Sequence, residues 1–192
     1  NRSMVKMSEN SRQLSRLLIK LVPDYFPPEK LSIYEETGTV GIQFSQLPFD
    51  HLFFTGSGAT GKAVMASAAK NLTPVTLELG GKSPAVIGPD FPIKKAVERI
   101  MFAKQFNAGQ VCVNVDYVFV PEDKLDEFVK ACKAWVHKHC PDISSPDYTS
   151  IIDQRSYDRL TEALADAKNH GATVINLAEN QEPQPETRKI GP

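Results

Sequence analysis

The stretch "FNAGQVCVNVD", residues 106–116, sets one cysteine, Cys112, shortly after a glycine and between a helical pattern and a strand pattern. A thiolate attacks electrophilic carbon well, so Cys112 is a candidate nucleophile; the other reading is a small apolar side chain that fills a corner. Upstream, "LELGGKSP" places Glu78 ahead of two glycines, where backbone can approach a flat ligand closely. A carboxylate in a partly apolar pocket has its pKa raised toward neutrality and suits general-base work. The competing role for Glu78 is an ion-paired residue at a strand end. A cysteine hydrolase would need a histidine in a recognisable motif, and His51, His137, His139 and His170 have none around them. "HKHC", residues 137–140, falls where an amphipathic helix ends, a usual place for cationic side chains, and no metal site is expected there.

A third feature is "TGSGATGK", which follows a strand pattern and opens a helical one. Gly56, Gly58 and Gly61 match the G-x-G-x-x-G dinucleotide fingerprint in the right context. A helix N-terminus at such a turn offers free N–H groups and partial positive charge to a pyrophosphate, and Ser57 adds a hydroxyl. A glycine turn that only reverses the chain is the alternative. The fingerprint also expects an acidic residue roughly 20 positions on, to hold a ribose. Glu78 lies near that distance, but its place before the glycine pair favours the general-base role.

These groups need a scaffold, and the chain supplies one. It has 192 residues, 41% of them hydrophobic and 23% charged, ordinary values for a globular protein with a real core. The net charge of −1, with scattered Lys and Arg, excludes the basic field of a nucleic-acid binder. No apolar run approaches the roughly 20 residues that span a bilayer. Three cysteines, an odd number at no metal-like spacing, disfavour a disulfide framework, and a cytoplasmic location is expected.

Short apolar runs alternate with helical patterns, the signature of a parallel α/β architecture. "SMVKM", "KLSIYEE", "HLFFT" (read as buried), "PVTLELGGKSPAVIG" (strand, turn, strand), "YVFVP" and "ATVINL" read as strands. Helices are expected in "SENSRQLSRLLIKLV", with Leu14, Leu17, Leu18 and Leu21 on one face, and in "TVGIQFSQL", "GKAVMASAAKN" and "PIKKAVERIMFAKQFN". Two more follow: "EDKLDEFVKACKAWVHKH", in which Cys132 packs, and a helix ending near His170 with Gly171 as its left-handed cap. The polar stretch from Glu179 to Glu186 reads as an exposed loop or hairpin arm.

"FTGSGATGK", "ELGGKSP" and "FNAGQVC", in this order, resemble the aldehyde dehydrogenase superfamily, and "NLTPVTLELGGKSP" with "CVNVDYVFVP" is most similar to its coniferyl aldehyde dehydrogenase group. The resemblance covers most of the chain, and the 34-residue separation of Glu78 and Cys112 is like that in the family. It implies an α/β fold: the second half of a Rossmann-like NAD-binding domain over residues 1–77, then the first part of a catalytic domain over residues 78–192. It implies oxidation of a hydrophobic aldehyde, aromatic ones included, through a Cys112 adduct and thioester, with Glu78 activating the water. Lys6 and Glu9 would meet the adenosine ribose, Gly56, Ser57 and Gly61 would form the cofactor turn, and the backbone at Leu79 and Gly80 would hold the nicotinamide. NAD is the implied cofactor, with NADP possible, because the Glu9 carboxylate favours free ribose hydroxyls over a 2′-phosphate. Family members are longer, so the chain reads as an internal piece, inactive alone, of a protein that forms homo-oligomers. The family's oxyanion asparagine would precede Asn1, and its glutamate and phenylalanine near the nicotinamide ribose would follow Pro192. Two departures stand out: Met7 where the family usually has proline, and no arginine soon after Cys112. A CoA-acylating relative and a non-catalytic nucleotide-binding or scaffold protein remain the alternatives.

Overall fold

Parallel strands cannot be joined by a tight turn, so each pair needs a crossover, and the chain supplies a helix each time. The computed structural model describes residues 1–179 and 181–192. Strand β1 (Ser3–Lys6), helix α1 (Arg12–Leu21) and strand β2 (Leu31–Tyr34) form the first such unit, with β1 and β2 parallel. After the short helix α2 (Val40–Ser45), β3 (Leu52–Gly56), α3 (Gly58–Ala69) and β4 (Val75–Leu79) repeat the pattern. The third unit is β5 (Ser83–Val86), α4 (Ile93–Gln105) and β6 (Val115–Phe119). Helices α5 (Leu125–His139) and α6 (Gln154–Asn169) complete the order. This is the alternating α/β architecture the sequence predicts.

The chain divides into two compact units, Asn1–Gly80 and Gly81–Pro192, which puts Glu78 near the end of the first and Cys112 in the second. In the first unit β1 pairs with β2 and β3 with β4; among the described residues the other edges of β1 and β3 pair with no strand. Phe53 on β3 is therefore 65% exposed, against the expectation of a buried strand, because a strand becomes buried only when neighbours cover it. The leucine stripe of α1 is likewise uncovered. Ser15 is the residue that turns inward, Leu18 is half-buried, and Leu14, Leu17 and Leu21 are exposed.

The second unit has the thicker core. Ile93, Ala96, Val97 and Met101 recur at helical spacing on α4 and pack with Cys132 and Val136 of α5, Ile87, Ile143 and Ala178. Cys132 is thus a packing residue, as predicted. Helix α6 is capped by Asp153, whose carboxylate accepts the Ser156 N–H, and ends before Gly171 at φ +83°, the expected left-handed stop.

One predicted element is absent. "ATVINL" forms no strand, and Val174 and Ile175 are exposed. A strand is held by the hydrogen bonds of a neighbour, and none of the described residues offers one here. In the predicted polar arm Asn180 lies outside the described residues, and the remainder closes with an antiparallel bridge between Gln184 and Lys189. Among the described residues no helix is long and apolar enough to cross a membrane.

Candidate active site

Cys112 stands on a turn built from three sides. Leaving α4, the chain passes through Asn107, Ala108 and Gly109 at φ 55°, 51° and 79°. Left-handed backbone is free for glycine and tolerable for asparagine, but it costs an alanine roughly 1–2 kcal/mol, a strain the surroundings must hold. They do so through Gln110. Its Nε2 donates to the carbonyls of Asn107 and Ser150, each at 3.1 Å, and its Oε1 accepts the Ile152 N–H at 2.8 Å. On the other side the buried Asn114 sends Nδ2 to the Ala103 carbonyl at 3.1 Å, closing the end of α4. The Asn114 N–H reaches back to the Val111 carbonyl at 3.0 Å, so Cys112 occupies the crown of a turn.

The sulfur at that crown is exposed, whereas Cys132 is buried and Cys140 partly so. Burial pushes the Cys132 thiol up to about 11 and also raises Cys140 above the ordinary thiol range. The Cys112 N–H donates to no backbone carbonyl among the described residues and remains free for an incoming oxygen. Gly81 closes the third side: a Cβ there would stand 3.0 Å from the Cys112 carbonyl oxygen. The second glycine of "ELGGKSP" is therefore required by close packing on the cysteine turn. Exposed Lys82 pairs with Asp116 at 3.2 Å beside it.

In the first unit β4 runs in register with β3, Glu78 opposite Thr55 and Leu79 opposite Gly56. Leu77 and Leu79 face α3, where a Cβ on Gly61 would come 2.9 Å from Leu79 Cδ2. Gly61 is buried and serves close helix–strand packing, the part the fingerprint's third glycine plays. Side chains alternate along a strand, so Glu78 projects from the opposite face, and it is exposed. Gly80 is exposed too.

Between the unpaired edges of β1 and β3 runs a crevice of about 790 Å³. Lys6, Ser8 and Glu9 line it at the carboxyl end of β1, and Gly56, Ser57 and Thr60 at the carboxyl end of β3. Four of the predicted cofactor residues, Lys6, Glu9, Gly56 and Ser57, thus share one cavity; Gly61, Leu79 and Gly80 are not among its lining residues, nor is Glu78. Ser57 caps α3 by accepting the Thr60 N–H, and a Cβ on Gly58 would meet nothing within 4 Å. The first turn of α3 is open to a ligand.

Sequence reasoning passed over one residue at this end. Glu36, in the loop before α2, accepts N–H groups from Gly38 at 2.7 Å, Val40 at 3.2 Å and Gly41 at 2.8 Å. It also pairs with Lys6 Nζ at 3.1 Å. Burial by itself would raise this carboxyl, but the Gly38 N–H, the Lys6 ammonium and the Gly41 N–H outweigh it and hold it below the ordinary carboxylate range. The available signal was a carboxylate directly ahead of "TGTVG", glycine-rich backbone beginning a helix.

Comparison with known proteins accords with this geometry. The profile of the aldehyde dehydrogenase family matches residues 1–190. A probable coniferyl aldehyde dehydrogenase of Pseudomonas aeruginosa is 50% identical over 184 residues, covering 95% of this chain and 39% of that protein. A coniferyl aldehyde dehydrogenase of a Pseudomonas species is 44% identical over 178 residues, covering 92% and 37%. Among solved structures, a substrate-bound Staphylococcus aureus AldH superposes with a TM-score of 0.87 at 35% identity, covering all of this chain and 41% of that one. A Mycobacterium tuberculosis aldehyde dehydrogenase complexed with NAD+ gives 0.86 at 29% identity with the same coverage. The chain therefore spans about two fifths of the length of the relatives it matches. With its cysteine turn, its glutamate strand and its glycine-led helix all inside the matched region, the chain belongs to the aldehyde dehydrogenase family.

Proposed function

We propose that the full-length protein carrying this chain oxidises a hydrophobic, aromatic aldehyde to its carboxylic acid with NAD+, through a covalent Cys112 intermediate. The observation that carries the reading is the Cys112 turn: one exposed sulfur, fixed by Gln110, Asn114 and Gly81, beside a free N–H. The aromatic substrate rests on the relatives named for coniferyl aldehyde.

Cys112 thiolate forms a C–S bond to the aldehyde carbon while the carbonyl electron pair moves to oxygen, where the Cys112 N–H donates to it. The tetrahedral adduct on Cys112 would then expel hydride, for which a nicotinamide, when bound, would be the acceptor, leaving a Cys112 thioester. Glu78 takes a proton from water as the water oxygen attacks that thioester; the C–S bond breaks, and acid and thiolate separate. Glu78 precedes by three residues the Gly81 that packs on the cysteine turn.

The residues fit the cofactor. Taken as the second to fifth strands of a doubly wound sheet in order 3-2-1-4-5, β1 to β4 leave the first strand's place between β1 and β3, the switch point where such sheets bind dinucleotides. Lys6 and Glu9 at the carboxyl end of β1 would take the adenosine ribose hydroxyls, Gly56 and Ser57 the pyrophosphate, and the backbone at Leu79 and Gly80 the nicotinamide. We place the protein in the cytoplasm as a homo-oligomer: free thiols suit a reducing compartment, and the exposed Leu14, Leu17 and Phe53 suit cover by further protein.

The test is a rapid-mixing assay of Glu78→Gln in the full-length enzyme. One equivalent of NADH should form in a burst at the wild-type rate, with steady turnover slowed about 10²-fold or more. An unaltered steady state would remove Glu78 as the base. Weakened dinucleotide binding would return it to a ribose role, and acceleration of the wild-type steady state by CoA would identify a thiol in place of water as the acceptor.

A further inference from the structure

We propose that Glu36 is a positioning residue that sets the preference for NAD over NADP, by holding the Lys6 ammonium in a partly buried ion pair and so withholding it from a 2′-phosphate. The inference rests on the reading of Lys6 and Glu9 as the adenosine-ribose contacts and adds a residue outside the crevice wall.

Lys6 is the cation at the carboxyl end of β1, and its Nζ lies 3.1 Å from Glu36 Oε2. The Glu36 side chain is 11% exposed and that of Lys6 25%, so solvent screens the pair less than it would a surface pair. Three backbone N–H groups fix the carboxylate, leaving the ammonium little reason to depart. Gly41 makes the arrangement possible. A Cβ there would stand 2.9 Å from Glu36 Oε2 and 3.3 Å from Lys6 Nζ, and Gly41 itself lines the crevice.

The charge balance at this end follows. Lys6 is neutralised by Glu36, while Glu9 has no cationic partner among the described residues. The other cation lining the crevice, Arg2, lies toward the opposite end of β1, about 13 Å of strand away. His51 precedes β3 and is hydrogen-bonded to Thr76. Uncharged ribose hydroxyls find an acceptor in Glu9 and a donor in Lys6. A phosphate carrying about two negative charges meets the Glu9 carboxylate with no spare cation.

The experiment is calorimetric titration of the full-length enzyme with NAD+ and with NADP+, giving the two dissociation constants without turnover. In Glu36→Gln the ratio Kd(NADP)/Kd(NAD) should fall at least tenfold, chiefly through tighter NADP binding. Gly41→Ala, whose Cβ would crowd Glu36 Oε2 and Lys6 Nζ apart, should lower the ratio in the same direction and covers the case in which Glu36→Gln does not fold. A ratio within twofold of wild type in either folded variant overturns the role of Glu36. Glu9→Gln separates that failure from failure of the ribose assignment: it should weaken NAD binding, and unchanged affinities for both dinucleotides would place the ribose elsewhere and remove the inference with it.

Discussion

Cys112 and Cys132 carry the same thiol, twenty residues apart in the same unit, and the chain puts them in opposite settings. Cys132 lies on the inner face of α5, 3% exposed, among Val97, Met101 and Val136. Its surroundings are apolar, and its thiol stays protonated. Cys112 lies on irregular backbone, exposed, in a setting made of amide hydrogen bonds and a glycine contact. Access here is a property of the polypeptide around the sulfur: a helix face hides Cys132, and a pinned turn exposes Cys112. Three experiments press on that contrast, beginning with the largest effect.

Cys112→Ala in the full-length enzyme should lower kcat/KM by about 10⁴-fold or more, since no other group replaces the covalent route. Stability should stay within about 0.5 kcal/mol of wild type, as for other exposed substitutions. Cys132→Ala should reverse the pattern, with activity per folded molecule retained and about 1–3 kcal/mol of stability lost to the cavity. Steady-state kinetics beside urea unfolding decide it. Turnover surviving Cys112→Ala within tenfold of wild type would end the nucleophile assignment.

The next experiment uses pH. A thiol whose folded pKa is raised, as Cys132 is by burial to about 11, binds its proton in the folded state where the unfolded chain, near 8.5, has released it. The contribution is intact below about pH 8.5 and is lost as pH rises toward 11, at up to about 1.4 kcal/mol per unit. Tyr148, raised to about 12 by burial and by its neighbour Cys140, steepens the fall above pH 10. Cys132→Ala should flatten the slope of unfolding free energy between pH 8.5 and 10; a slope equal to that of the wild type would contradict the burial of this thiol.

What the sequence made legible follows the same division. Helices α4 and α5 and the packing of Cys132 could be read from periodicity, because the residues that cover them, from Ile87 to Ala178, lie within this chain. Phe53, the leucines of α1 and "ATVINL" could not, because pattern records which face is apolar and not what covers it, and here their cover is absent among the described residues. Cys112, Glu78 and the glycine turn were legible as motifs. The Lys6–Glu36 pair was not, since it joins residues thirty apart through a loop whose geometry no local pattern encodes. Ala108 at φ 51° was invisible for a related reason: its strain is imposed by the turn and contradicts its own preference.

The smallest expected effect is the most discriminating, because it concerns what distinguishes a presented thiol from one that is merely exposed. Gln110 makes three side-chain hydrogen bonds that tie the strained backbone at 107–109 to residues 150–152. Gln110→Ala removes them without touching the sulfur or the core. The turn should relax, and kcat should fall about tenfold, roughly 1.4 kcal/mol of positioning, with KM little changed. Cys112 should still react with iodoacetamide at close to the wild-type rate, since exposure is kept and only orientation is lost. If alkylation and turnover fell together, Gln110 would be acting on the thiol's reactivity, and if neither fell, the pinning of the turn would be irrelevant to catalysis. A tenfold loss in kcat alone would show that the difference between the two cysteines has two parts, access and aim, and that the aim comes from amides the motif surrounding Cys112 already contains.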